Sequence, residues 1–150
     1  MDTLIINPEE PTLKDKFFKE RLEWTKKLEE ISLKLKTLDS VAELMTTLYT
    51  ERQRAVEYYH YIISLLISLN RKYKKSWDDR FEYWTKISQY KYPNEATKNN
   101  KIQVELAEQI EIREMLENHS KFILQVINTL DNVIYAVPRR IEIEQINRGK

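Results

Sequence analysis

The stretch that decides the fold is residues 41–73, which read VAELMTTLYTERQRAVEYYHYIISLLISLNRKY. Apolar side chains recur here in alternating steps of four and three, which is the heptad spacing of a seam along one face of an α-helix. The seam residues are Val41, Met45, Leu48, Arg52, Ala55, Tyr59, Ile62, Leu66, Leu69 and Tyr73. Arg52 is the one charged residue in this row. The stretch therefore predicts a long amphipathic helix with coiled-coil-like packing.

The ends of this helix are marked by local signals. Ser40 and Glu43 form a capping-box pattern directly before the apolar run, so we expect the helix to begin at about residue 41. Pro93 disfavours helical geometry at the preceding residue, so we predict a helix over 41–90 followed by a loop. Past Tyr73 the apolar stripe slips by one position and continues through Trp77, Phe81, Trp84 and Ile87.

The flanking sequence predicts two further long amphipathic helices, at about 12–37 and 101–136. Closely spaced prolines predict an extended tail over residues 1–10. Pro138 lacks a backbone donor, so we expect the third helix to end or kink there and a short C-terminal segment to follow. The Ile-Glu alternation within 139–148 leaves both helix and strand open for that segment.

Length and composition bound the class of protein. The 150 residues are 41% hydrophobic and 33% charged, which fits one soluble domain over residues 1–150, and the scarcity of glycine favours an all-α fold. A single glycine and no cysteine exclude phosphate-cradling glycine loops, disulfides and thiolate metal sites. The N-terminus lacks a secretory-signal pattern and no apolar run approaches ~20 residues, so we expect a cytoplasmic protein.

Catalytic motifs are missing from the sequence. His60 and His119 stand apart from any second ligand, so we expect no metal, no cofactor and no enzymatic activity, and we interpret both histidines as structural. Glutamates at every third position from Glu105 to Glu117 predict a solvated acidic stripe.

Charge is distributed unevenly along the chain. Residues 71–101, a basic and aromatic segment with a loop, carry nine Lys/Arg against four Asp/Glu, while residues 102–118 have a net charge of −4. Cations interleaved with exposed rings suit single-stranded nucleic acid, because cations neutralise phosphates and any base can stack on a ring. A merely solubilising surface is the alternative, with Trp77, Phe81 and Trp84 in the core. The candidate DNA-binding residues are Arg71, Lys72, Lys74, Lys75, Arg80, Tyr83, Lys86 and Lys91.

A broad apolar face in the C-terminal half predicts self-association, and we assign residues 102–150 to an oligomerisation region. Its width exceeds what one neighbouring helix can cover. The residues expected to mediate assembly are Leu116, Ile123, Val126, Ile127, Leu130, Val133, Ile134 and Val137.

Residues 80–84, Arg-Phe-Glu-Tyr-Trp, resemble a motif of the phage recombination mediators of the UvsY type. The family pattern is Lys-Ala-Arg-Leu-Asp-Tyr-Tyr, so Arg80 matches its arginine, whereas Asp78 stands where the family has lysine. The Gly-Arg-Gly that follows in the family has no counterpart in this chain. The resemblance extends over roughly residues 71–150.

The resemblance implies a non-enzymatic protein that loads a RecA-like phage recombinase onto single-stranded DNA covered by single-strand-binding protein. It also implies a ring-like, heptamer-like homo-oligomer assembled by its C-terminal helices, in the host cell cytoplasm. A coiled-coil structural or adaptor protein, for example a phage assembly factor, is the competing hypothesis. Binding that weakens steeply with salt would favour the first reading, because assembly through apolar helices tolerates salt.

Overall fold

A computed structural model describes residues 12–37 and 41–149, and this part of the chain is helical apart from short connections such as residues 88–94, with no strand. The all-α prediction is therefore confirmed. The elements are α1 (Leu13–Thr37), α2 (Val41–Glu82), a π-helical turn (Tyr83–Ile87), α3 (Glu95–Glu105) and α4 (Ala107–Arg148). The predicted tail at 1–10 and the Ser40 cap lie outside the described residues.

Helix α1 begins at a reciprocal cap. The backbone N–H of Asp15 donates to Thr12 Oγ1 at 3.2 Å, and the backbone N–H of Thr12 donates to Asp15 Oδ2 at 3.2 Å. This is the capping-box geometry with Asp in the place of Glu or Gln, and it satisfies two backbone donors that no helical carbonyl reaches.

Helix α2 ends earlier than the predicted residue 90. After Glu82 the chain makes a π-helical turn, in which the N–H of Ser88 donates to the carbonyl of Tyr83 at 2.8 Å. A π-turn holds more residues than an α-turn, so the side chains after it are rotated away from the face that a regular helix would present. Ile87, expected on the apolar stripe, is accordingly 67% exposed.

The prediction of one helix over 101–136 is wrong at both ends. Helix α3 already begins at Glu95, because the side chain of Asn94 accepts a hydrogen bond from the N–H of Thr97 at 2.8 Å and caps it. The helical geometry is interrupted at Leu106, where φ is −102° and ψ is 13°.

Helix α4 then runs to Arg148 with Pro138 inside it, so Pro138 does not end the helix and residues 139–148 are helical. Proline removes one helical hydrogen bond and crowds the preceding turn. Val137 is 1% exposed, and the burial of this neighbouring side chain offsets part of that loss.

Contacts divide the chain into two compact units. The first comprises Met1–Val56 with Phe122–Lys150, and the second comprises Glu57–Lys121. Both α2 and α4 contribute residues to each unit.

The first unit combines α1 with the beginning of α2 and the end of α4. Its most deeply buried side chains include Leu48, Ala55, Ile123 and Leu130, each 0% exposed. Polar and cation–π contacts connect these helices in pairs. Lys27 Nζ of α1 lies 3.2 Å from Glu51 Oε2 of α2, and Arg52 of α2 pairs with Asp131 of α4. The Arg21 guanidinium of α1 lies 5.3 Å from the centroid of the Phe122 ring of α4. The charge that interrupts the α2 seam is thus paired.

The second unit combines the rest of α2, the π-helical turn, α3 and the start of α4. Ile62, Ile102 and His119 are almost completely buried in it. The hydroxyl of Tyr58 lies 3.4 Å from His119 Nε2, and the two rings meet edge to face. His119 is therefore a core residue of this unit, whereas His60 is exposed.

The residues assigned to oligomerisation are mostly covered by their own chain. Val133 and Ile134 are half-buried. The fully buried members are Leu116, Ile123, Val126, Ile127, Leu130 and Val137. The width of this apolar face therefore does not by itself require a second copy of the chain, and self-association stays a prediction.

Candidate nucleic-acid interface

Glu105 organises the aromatic end of the second unit. The guanidinium of Arg80 donates to its carboxylate, and the indole N–H of Trp84 donates to Glu105 Oε1 at 2.7 Å. The side chain of Glu105 is only 18% exposed, so its assignment to a solvated acidic stripe is wrong. Burial alone would raise the pKa of Glu105, but the hydrogen bonds from Arg80 and Trp84 and the charges of Arg80 and Lys101 together lower it.

Arg80 is also held by two aromatic rings. Its guanidinium carbon lies 4.5 Å from the centroid of Tyr83 and 5.7 Å from that of Trp84, which are cation–π distances. The structure thus brings together two of the predicted DNA-binding residues, Arg80 and Tyr83. It also compensates the charge of Arg80 with Glu105, so a phosphate at Arg80 would share or displace that carboxylate.

The rings beyond Arg80 form a connected series. The ring centroids of Tyr83 and Trp84 are 5.0 Å apart, and those of Trp84 and Tyr92 are 5.2 Å apart. The centroids of Tyr90 and Tyr92 are 4.9 Å apart, and all three pairs meet edge to face. Tyr83, Trp84 and Tyr92 are half-buried, while Tyr90 is 59% exposed. Tyr90 is therefore the ring of this series most available to an incoming base.

Four predicted DNA-binding residues form an exposed group on α2, which we name the basic patch: Arg71, Lys72, Lys74 and Lys75. None of them is ion-paired with another residue of the described chain. Arg71, Lys74 and Lys75 share one helix face, because side chains three and four positions apart are neighbours. The acidic residues Asp78, Asp79 and Glu82 follow on later turns and limit the patch on that side.

The remaining predicted cations lie around the π-helical turn. Lys86 Nζ is 3.8 Å from Glu82 Oε1 in an exposed pair, and Lys91 Nζ donates to the carbonyl of Thr85 at 2.7 Å. Lys98 belongs to the basic segment but is not among the residues predicted to bind DNA. Its ammonium lies 4.0 Å from the centroid of Phe81 and donates to Thr85 Oγ1 at 3.1 Å. Helix α3 begins at Glu95, within residues that the sequence predicts as a loop. This early start places Lys98 next to Phe81 and Thr85.

Three aromatic residues considered for the core are only partly buried. Trp77, Phe81 and Trp84 are half-buried, so they are neither fully in the core nor free platforms. Tyr73 packs against the Arg113 guanidinium, which lies 4.6 Å from the ring centroid.

Within the described ranges, no group of histidine, cysteine, aspartate and glutamate side chains is placed to hold a metal ion. Over the same ranges, no helix has the length and apolar character that crossing a membrane requires. Comparison with models of protein families, with curated proteins and with solved structures gives no match.

Proposed function

We propose that this protein binds single-stranded DNA without sequence preference and serves as a recombination mediator. The observation that carries the binding proposal is the basic patch of Arg71, Lys72, Lys74 and Lys75, four exposed cations on adjacent turns without ion-pair partners in the described chain. Cations left unpaired on one surface are available to replace the counterions of a phosphate backbone.

The aromatic residues that follow this patch along the chain support a single strand over a duplex. Bases in a single strand expose their faces and stack on rings, each stack contributing ~1 to 3 kcal/mol. Tyr90 offers an exposed ring, and Tyr83 and Tyr92 offer partly exposed ones. Stacking of this kind is tolerant of sequence, because every base has a π face.

The mediator role rests on the resemblance at residues 80–84. In this proposal the protein binds the DNA strand, a RecA-like phage recombinase and the phage single-strand-binding protein, and it catalyses no reaction itself. Repetition of the basic patch in a homo-oligomer would raise the effective concentration of phosphate contacts along one strand.

The test is the salt dependence of binding to a fluorescently labelled oligothymidylate, measured by anisotropy. Replacing Arg71, Lys74 and Lys75 with Ala should weaken binding and lower the slope of log affinity against log salt by about 2, because each phosphate contact contributes ~0.7 for single strands. The matched control replaces three exposed lysines of α1, Lys14, Lys19 and Lys26, with Ala. Equal affinity and slope for the patch variant and the wild type would contradict the proposal.

A coiled-coil adaptor is the second candidate, and one observation favours it. Ile143 and Ile146 on α4 are 58% and 61% exposed, and they stand three residues apart as apolar contacts to a partner helix would. An adaptor would bind no oligothymidylate at low salt, and its association with a partner would persist at high salt. The anisotropy titration therefore separates the two candidates.

A further inference from the structure

A cavity of about 260 Å³ lies within the second unit, beside the π-helical turn and the beginning of α3. Trp84 and Tyr92 contribute aromatic rings to its lining, Lys91 and Lys98 contribute ammonium groups, and Glu95 contributes a carboxylate. This volume is just below the ~300 Å³ at which typical small-molecule sites begin. It suits a ligand the size of one nucleotide unit.

The two lysines converge on a single residue. Lys91 Nζ donates to the Thr85 carbonyl at 2.7 Å, and Lys98 Nζ donates to Thr85 Oγ1 at 3.1 Å. Neither ammonium is ion-paired with a carboxylate of the described chain. Each ammonium has three donors, so each retains capacity for a further acceptor. Two positive charges held against one residue repel each other, and an anion between them relieves that repulsion.

The aromatic part of the lining is fixed in place. Trp84 is held by its hydrogen bond to Glu105 at 2.7 Å, and Tyr92 meets it edge to face at an interplanar angle of 71°. Rings held in this way present an apolar surface without a further loss of side-chain entropy on binding. A planar base is the ligand group that matches such a surface next to a pair of cations.

We propose that this cavity binds one nucleotide unit, with its phosphate on Lys91 and Lys98 and its base against Trp84 and Tyr92. Glu95 also lines the cavity, and its carboxylate lowers the net positive charge that the two lysines offer to a phosphate. The ligand is either one unit of a DNA strand or a free mononucleotide. The first source rests on the proposed function, whereas the second does not.

The experiment follows the indole N–H signals of the full-length protein by ¹H–¹⁵N correlation NMR. The chain has three tryptophans, so the Trp84 signal is assigned by its disappearance in Trp84→Phe. An eight-residue oligothymidylate without terminal phosphates and thymidine monophosphate are titrated separately. We expect the Trp84 signal to shift in at least one of the two titrations, while the Trp24 signal stays in place.

A double variant, with a single variant in reserve, tests the phosphate contact. Lys91→Gln and Lys98→Gln together should weaken oligothymidylate binding about tenfold and lower the salt slope by ~0.7, the contribution of one phosphate. Lys26→Gln on α1 is the control. Lys91→Gln alone removes an exposed charge and tests the site should the double variant unfold.

The outcomes separate this inference from the proposed function. An unmoved Trp84 signal with both ligands, or a double lysine variant that binds both oligothymidylate and thymidine monophosphate like the wild type, would overturn the cavity assignment even where the basic patch binds DNA. A Trp84 shift with thymidine monophosphate in a protein that binds no oligonucleotide would support the cavity and contradict the DNA-binding proposal. A shift with the oligonucleotide alone assigns the cavity to a strand.

Discussion

The guanidinium of Arg80 donates a hydrogen bond to the carboxylate of Glu105, which stands 25 residues later in the chain. The same carboxylate accepts the indole N–H of Trp84, so one side chain at the end of α3 holds two residues from the α2 side of the unit. Arg80 is therefore first a positioning residue for the neighbouring rings. A substitution of Arg80 would therefore also displace Tyr83 and Trp84, and this displacement would contribute to any change in DNA binding.

Glu105→Gln should destabilise the protein by about 1 to 3 kcal/mol, because it removes the charge from two hydrogen bonds in a partly buried place. The measurement is the urea midpoint of unfolding followed by circular dichroism. Glu108→Gln, three residues further on and exposed, is the matched control and should change the free energy of unfolding by less than about 0.5 kcal/mol. Equal effects of the two substitutions would mean that the carboxylate at Glu105 does not hold Arg80 and Trp84 in solution.

Acid should destabilise the wild type more than the Glu105→Gln variant. Burial would raise the pKa of Glu105, but the hydrogen bonds from Arg80 and Trp84 and the charges of Arg80 and Lys101 together lower it in the folded state. A carboxyl with a lowered folded pKa contributes stability that is fully present above its ordinary value of 4.5 and is lost as the pH falls through the folded value. Urea midpoints measured from pH 6 downward should therefore converge for the two proteins, and parallel curves would contradict this linkage.

Leu130→Ala should cost about 2 to 5 kcal/mol of folding free energy, because Leu130 is 0% exposed within a single chain. Leu124→Ala, on the same helix at 42% exposure, is the control and should cost much less. Urea unfolding and sedimentation are measured together on both variants. If Leu130→Ala left the stability unchanged but lowered the sedimentation mass, Leu130 would instead belong to an interface between copies of the chain.

Pro138→Ala should stabilise the protein, by about 2 kcal/mol. It restores a hydrogen bond inside α4 and removes a steric clash worth ~3 kcal/mol, and the greater freedom of the unfolded chain offsets ~0.4 to 1 kcal/mol of that gain. The measurement is the midpoint temperature of thermal unfolding. Pro93→Ala, in the segment between the π-helical turn and α3, lacks the helical gain and serves as the comparison. A lower unfolding temperature for Pro138→Ala would mean that the proline ring makes a contact that the helix needs.

The sequence by itself determined the helical class and the approximate bounds of α1 and the start of α2. These are local properties: a heptad row such as Leu48, Ala55 and Ile62 lies on one face only in a helix, and a chain with one glycine has few residues suited to the tight turns that join strands. The exposed cations of the basic patch were also predictable, because lysine and arginine on a polar helix face have no reason to be buried.

Only the tertiary structure decided which residues meet. Glu105 and Glu108 belong to the same three-residue repeat, yet only Glu105 accepts hydrogen bonds from Arg80 and Trp84, since packing of α3 against the end of α2 selects it. Pro138 would end a helix on local rules alone, but burial of Val137 beside it offsets part of the cost. Whether a broad apolar face such as that of Leu130 needs a partner copy depends on which residues of its own chain pack against it. The spacing of apolar residues in the sequence does not give that information.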